Sequence, residues 1–521
     1  MNQIMKVIFT ICLFVTCFYY GHATNYYVSV SGKDSNEGKS LATAFASIQK
    51  GHDVSNPGDT ILVADGTFTE EVKIIRSGNS ISNIVYKSIN KWGAKVTNTW
   101  YNCFTVKASY ITIDGFELVA PAIYGSGVGA MPTDAPVSFN HHITARNNKC
   151  HDSGQGGVGV QDCDYITIEN NICYKNSWIM PYCGSGISIY GRSTFDTEPG
   201  FHYIVRGNIC YLNDNGPSTN LTDGNGIIID DLRNTQTDNH HGLAQSLTYI
   251  TQAVLVENNL CYANGGKGIH LAWSNNVTIR NNTLYGNCTR TDQANGTWNG
   301  DLSLAFASNC ISVNNICVST VPNYNAHGVF AGANAGIGVS SNLSFYNNIT
   351  YCTFDPTRPA VYSEGISISF TGANDNKIAT NPMLLDPTNL NTPDFHLKSG
   401  SPAINSGSSA YGNNVTDLDG HTRVVENIDL GAYEYSGITA VQSIGKPTAI
   451  LISTSYSYGI LTIGNLPDEP CNAFLYSLDG RLLTYRSISG SGELNVGQVP
   501  EGIYILRIEG RTTRYNSKLK L

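Results

Sequence analysis

One short motif recurs along the middle of this chain at a spacing that leaves little freedom in how it can fold. Arg146-Asn147-Asn148, Glu169-Asn170-Asn171, Arg206-Gly207-Asn208, Glu257-Asn258-Asn259, Arg280-Asn281-Asn282, Asn314-Asn315 and Asn347-Asn348 each close a short β-branched alternation, such as Ile166-Thr167-Ile168 or Val277-Thr278-Ile279. The basic interval is 23 residues, as from Asn148 to Asn171 and from Asn259 to Asn282. A strand that ends in asparagine, turns and returns at that interval is about one coil of a three-faced β-helix. Stacked coils place the asparagines over one another, so each amide can satisfy the next. The predicted fold class is therefore all-β, a right-handed parallel β-helix.

A second strand in each coil carries glycine followed by alternating apolar residues: Gly157-Val158-Gly159-Val160, Gly186-Ile187-Ser188-Ile189, Gly226-Ile227-Ile228-Ile229 and Gly268-Ile269-His270-Leu271. A period of two puts Ile187, Ile227 and Ile269 inside. The outward columns then read Gly159, Ser188, Ile228, His270 and, beside it, Gln161, Tyr190, Asp230, Ala272.

Fourteen cysteines suggest disulfides in an exported chain. However, Cys150, Cys173, Cys210, Cys261 and Cys317 each follow the repeat asparagine by two residues, so they occupy one repeated inward site. A reduced stack of small apolar side chains is expected there.

Residues 1–23 read as a signal peptide, with Lys6, an apolar stretch from Val7 to Tyr20 and Gly21-His22-Ala23 as a small-residue cleavage site. The formal charge is −9, and one unit more negative without Lys6. That balance argues against a nucleic-acid partner. With 52 glycines and only 14% charged residues, the composition is that of a turn-rich β protein.

Tyr26-Tyr27-Val28-Ser29, Gly32-Lys33-Asp34-Ser35-Asn36-Glu37-Gly38, Ala46-Ser47-Ile48-Gln49 and Pro57-Gly58-Asp59-Thr60-Ile61 together resemble the N-terminal cap of secreted β-helix enzymes. Leu397 to Gly407 and Asp429-Leu430-Gly431-Ala432-Tyr433-Glu434 look like the element that closes the other end. After Tyr435 the pattern changes to short strands, including Leu475 to Leu482 and Pro500 to Ile508. This tail resembles the β-sandwich sorting domain of the type 9 secretion system. The expected domains are thus the signal peptide 1–23, the capped β-helix 24–436, a linker 437–446 and a small C-terminal β-sandwich 447–521. The chain is expected to be a monomer, secreted or attached to an outer-membrane surface.

Chemistry is expected where the repeat is interrupted. Asn171 to Asn208 spans 37 residues and Asn208 to Asn259 spans 51, so neighbouring coils carry long loops, and solenoid binding sites are built on such insertions. Arg192, Asp196, Asp214, Asp223, Asp230, Asp231, Arg233, Asp238, His240, His241, Lys267 and His270 gather in and beside them. Aspartates and asparagines also cap ordinary β-helix turns. Even so, Asp230 at a strand end with Asp231 just beyond offers the oxygen ligands that calcium requires.

This arrangement is similar to the calcium-dependent polysaccharide lyases of the pectate-lyase superfamily, most nearly family 9. The resemblance implies that Asp223, Asp230 and Asp231 hold Ca2+ and that a lysine on a following coil is the base. His270 occupies the place of that family's lysine, and Lys267 stands earlier on the same segment, so either is a candidate. Arg233 could help depress the base. Tyr190, Arg192, Trp273 and Tyr182 are candidate substrate contacts. The expected function is calcium-assisted β-elimination on a pectin-like acidic polysaccharide, which together with the secretion machinery would be the partner. A glycoside hydrolase using the same aspartates, a uronate epimerase and a noncatalytic glycan-binding adhesin are the alternatives.

Overall fold

The computed structural model describes residues 23–435 except 181–183, 217–222, 234–251, 291–297, 322–325, 333–339, 355–356, 390–391, 413–414 and 425, together with most of residues 453–520. Residues 1–22, the linker 437–446, Tyr182, Asp238, His240 and His241 lie outside the described set. Contacts divide the chain into two compact units, Met1–Tyr435 and Ser436–Leu521.

The first unit is a parallel β-helix made of three long sheets, one of 11 strands and two of 10. Successive coils pair in parallel without slipping along most of the length: Ile166 lies over Ile143, and Cys173 over Cys150. The repeat asparagines explain this fixed register. In each pair the first residue adopts a left-handed conformation that ends the strand: Asn147, Asn170, Asn258 and Asn281 have φ between 55° and 58°. Asparagine tolerates this region, and glycine at position 207 meets the same demand with φ of 63°. The second asparagine is fully buried and forms a ladder. Asn171 donates its backbone N–H (2.9 Å) and its side-chain amide (3.0 Å) to Oδ1 of Asn208. The pattern continues through Asn259, Asn282, Asn315 and Asn348 to Asn376. A second ladder runs Asn176, Asn213, Asn264, Asn287 and ends on Asp301. Burial raises the Asp301 carboxyl to about 7.

The expected cysteine stack is present. Cys150, Cys173, Cys210 and Cys261 lie in register, Leu284 takes the next coil, and Cys317 follows. All are buried and free. Just before the asparagines, the outer face of the 11-stranded sheet carries alternating charge: Asp114, Arg146, Glu169, Arg206, Glu257 and Arg280 pair coil to coil. Ion pairs of 3.0, 2.9 and 2.7 Å join Arg146 to Asp114, Arg206 to Glu169 and Arg280 to Glu257.

The helix Ile48–Val54, N-capped by Ser47, closes the first coils. Its Ile48 and His52 are buried, and His52 Nδ1 lies 2.6 Å from the Tyr86 hydroxyl. The segment expected to close the far end does something else. Leu397, Ala403, Leu430, Ala432 and Tyr433 pack on Leu260, Ile316, Val318 and Ile349, so it clamps the flank of the solenoid. Fully buried Arg423 fixes it, pairing with Glu434 at 2.9 Å and donating to Asn258. The final coil is instead covered by Phe370, whose ring lies 5.2 Å from Phe345.

The second unit comprises a three-stranded and a four-stranded antiparallel sheet. Leu461, Ile463 and Leu494 of the former share one core with Ala473, Leu475 and Leu506 of the latter. Among the described residues, no helix is long and apolar enough to cross a membrane.

Candidate functional site

The 10-stranded sheet that contains Ser126–Ala130, Gly156–Gln161, Ser185–Tyr190, Asn225–Asp230 and Ile269–Ala272 carries the outward columns expected from the alternation. Gly129, Gly159, Ser188, Ile228 and His270 lie in one register, and Gln161, Tyr190, Asp230 and Ala272 in the next. Because the first column begins with two glycines and a serine, the sheet surface is hollow there. A cleft of about 370 Å³ follows it, with Gly129, Gly159, Ser188 and Ile228 as its floor. Tyr101 and Tyr124 also line it, as do Asp223 and Asp230. Among the described residues, no lysine or arginine lines the cleft.

The candidate residues separate into three places. Tyr190, Asp223 and Asp230 line the cleft. Asp231, the next residue after Asp230, turns away. It is left-handed with φ of 49°, fully buried, and its N–H donates to the Ala272 carbonyl. The remaining described candidates, Arg192, Arg233, Lys267, His270 and Trp273, do not line the cleft.

The expected calcium trio does not assemble. Asp223 precedes the six-residue strand Asn225–Asp230 and Asp230 ends it, so a strand length of about 17 Å separates the two edges. Ligands of one calcium ion must all approach within about 2.6 Å of it. Among the described residues, no three His, Cys, Asp or Glu side chains are grouped to hold a metal. These residues do not fit a resident calcium ion, and no chemical step is drawn through one.

His270 occupies its predicted column but is sealed there. It is buried, its Nδ1 is 3.1 Å from Ser303 Oγ, and the Trp298 ring stacks 6.5 Å away. Burial and Lys267 push its pKa well below the ordinary value. Trp273, expected to stack on sugar, instead stacks on Phe306 at 4.8 Å and meets Trp298 edge-on at 6.1 Å. Buried Arg233 donates to the Phe306 carbonyl at 2.8 Å. This aromatic patch ends the cleft beyond Ile228. Half-buried Arg192 hydrogen-bonds Thr194, and neither arginine lines the cleft.

Lys267 belongs to the edge where Asp223 stands. Its backbone N–H donates to Asn225 Oδ1 at 2.8 Å, and its side chain is almost wholly buried. Burial lowers its pKa, opposed by Cys288 and Asp223. A lysine lowered in this way holds a larger neutral fraction and is a better general base near neutrality. Asp223 is the member of this pair that faces the cleft.

Tyr101, Tyr124 and Gln155 line the cleft but were absent from the candidates read from sequence. They precede or flank the coils with long loops on which that reading concentrated. The signal that could have located them is the run of small outward residues Gly129, Gly159 and Ser188.

The family described as a right handed beta helix region matches residues 137–317, and the fold is a right-handed parallel β-helix. Among solved structures the chain is similar to pectate lyase Pel9A, with 20% identity, 80% of this chain and 97% of that one covered, and a TM-score of 0.44. It is also similar to a rhamnogalacturonan lyase (14% identity, 72% and 97% covered, TM-score 0.43) and to the PL6 family alginate lyase AlyGC (14% identity, 68% and 42% covered, TM-score 0.41). No curated protein matches the chain. Identities this low assign no chemistry.

Proposed function

We propose that this protein is an exported polysaccharide lyase that cleaves a uronic-acid-containing polymer by β-elimination in the cleft, with Asp223 and Lys267 as the proton-abstracting pair. The observation that carries this reading is a buried lysine with lowered basicity, held against the edge of the cleft that Asp223 lines. In the reaction the C5–H bond breaks, its proton passes to the pair, the C4–C5 double bond forms and the C4–O bond to the leaving sugar breaks. Asp223 touches the sugar. Lys267 takes up the proton behind it and keeps that edge from accumulating charge. Tyr190, on the opposite edge, is a hydrogen-bond donor for a neighbouring sugar of the bound polymer. The C-terminal sandwich is proposed to direct export through the type 9 secretion machinery.

Hydrolysis on the same cleft is less favoured. Its paired carboxyl groups stand about 5–10 Å apart, whereas Asp223 and Asp230 stand at opposite ends of a strand.

The test measures both ultraviolet absorbance and new reducing ends on polygalacturonate, alginate and xylan, with calcium and with chelator. The expected result is a rise in absorbance on a uronate polymer, from the conjugated unsaturated product, that survives chelator. Reducing ends without absorbance would overturn elimination in favour of hydrolysis. Loss in chelator would restore a metal role for the aspartates.

A further inference from the structure

Gly159 is hard to explain by the protein alone. It lies inside the strand Gly156–Gln161, where glycine costs roughly 0.5–1 kcal/mol relative to alanine. Its φ is not in the left-handed region, and a Cβ added there would meet nothing nearer than Ser126 Oγ at 3.7 Å, an ordinary contact. The other glycines of this sheet are held by crowding: a Cβ at Gly129 would come within 2.3 Å of Asn102, at Gly157 within 2.5 Å of the Gly186 carbonyl, and at Gly186 within 2.7 Å of Asn213. A strand glycine with neither a backbone nor a packing reason marks a place that another molecule approaches closely.

The surroundings of Gly159 suit a sugar. It is on the cleft floor, two coils and so about 10 Å from Ile228. Tyr124, 54% exposed, and Tyr101 line the same cleft. An exposed tyrosine beside a cleft offers an apolar face and a polar tip. Gln155 and Gln161 line it too, and among the described residues their side-chain amides have no hydrogen-bond partner. No charged group lines this part of the cleft.

We propose that Gly159, with Tyr124, Tyr101 and Gln155 at one edge of the cleft and Gln161 at the other, forms a distal subsite in which the bound polymer crosses the sheet with a sugar ring flat on the glycine. This rests on the reading of the cleft as a polysaccharide site and extends it. A chain held there while it reacts beside Asp223 is gripped in its interior, so the subsite favours internal cleavage of polymers over release of single units from an end.

The test uses the full-length protein and its Gly159→Val and Tyr124→Ala variants, with polygalacturonate and alginate as probes. Binding is read by affinity electrophoresis and folding by thermal unfolding. Gly159→Val is expected to keep or raise the melting temperature and to weaken binding at least tenfold, while Tyr124→Ala weakens binding without affecting folding. Gly159→Val that folds and binds as the wild type does would overturn the subsite, and so would a wild-type protein that binds neither polymer. If Gly159→Val unfolds, Tyr124→Ala decides alone. Binding lost in the variants with no turnover by the wild type would uphold the subsite and reject the lyase. Turnover that is indifferent to both variants would do the reverse.

Discussion

Asn171 and Asn208 are 37 residues apart in sequence and one coil apart in space, and the second accepts two hydrogen bonds from the first, at 2.9 and 3.0 Å. The long loop between them leaves no mark on this contact. Each coil is locked to the next by the same pair of bonds, whatever the chain does between turns. Replacing Asn208 by Ala orphans two buried donors of Asn171. Each orphan costs about 1–3 kcal/mol, so a loss of roughly 2–6 kcal/mol is expected in urea unfolding. By contrast, Gly207→Asn should be nearly neutral and Gly207→Val destabilising, because the position is left-handed and β-branched residues avoid that region.

The charge ladder should be graded by burial. Arg280 and Glu257 are 9% and 3% exposed, so Glu257→Ala leaves a buried guanidinium without its partner and should cost about 3–5 kcal/mol. Arg206 is 38% exposed, and Glu169→Ala should cost less than about 1 kcal/mol and respond to salt. Equal effects in urea unfolding would contradict this grading.

Hydrogen bonding to the thiol of the following coil, together with burial, pushes the thiols of Cys150, Cys173 and Cys210 well above the ordinary range, against an opposing bond from the preceding coil in Cys173 and Cys210. Thiolate is the reactive form. The folded protein is therefore expected to resist iodoacetamide, and the unfolded protein to alkylate at these positions without prior reduction. Peptide mass mapping that found them joined would reject the reduced stack.

Acid should loosen the N-terminal cap. Burial, aided by Arg76 and opposed by Asp53, lowers His52 from 6.5 to about 4. Its Nε2 accepts the Ile75 N–H, so a proton there would face a donor. Above pH 6.5 the ring is neutral in both states and its contribution to stability is complete. As pH falls towards about 4 the unfolded chain binds a proton that the folded chain refuses, and that stability is lost. Melting temperature should therefore fall between these values, and His52→Gln should flatten the fall.

The solenoid was legible because its defining residues repeat: left-handed Asn147, Asn170 and Asn258, ladder Asn171, Asn208 and Asn259, and the cysteine column are each one physical requirement restated coil after coil. The outward columns followed from strand alternation alone. The site was legible only where it lay on those columns, as at Tyr190 and Asp230. That Trp298 covers His270 depends on a loop whose path no periodicity encodes. The clamp around Arg423 was misplaced for the same reason, since its partner Asn258 lies 165 residues away in sequence. The strand between Asp223 and Asp230 was itself readable, and its length sets the two at opposite edges of the cleft.

Proton abstraction is proposed at the Asp223–Lys267 edge of the cleft and not at Asp230. The most direct measurement is the elimination rate on polygalacturonate for Asp223→Asn, Lys267→Ala and Asp230→Asn, compared with the wild type and with folding checked by thermal unfolding. A positioned acid or base contributes about 10²–10⁴ in rate, so the first two variants should lose at least a hundredfold in kcat and the third less than tenfold. Near-wild-type turnover in Asp223→Asn and Lys267→Ala, with loss confined to Asp230→Asn, would contradict the account.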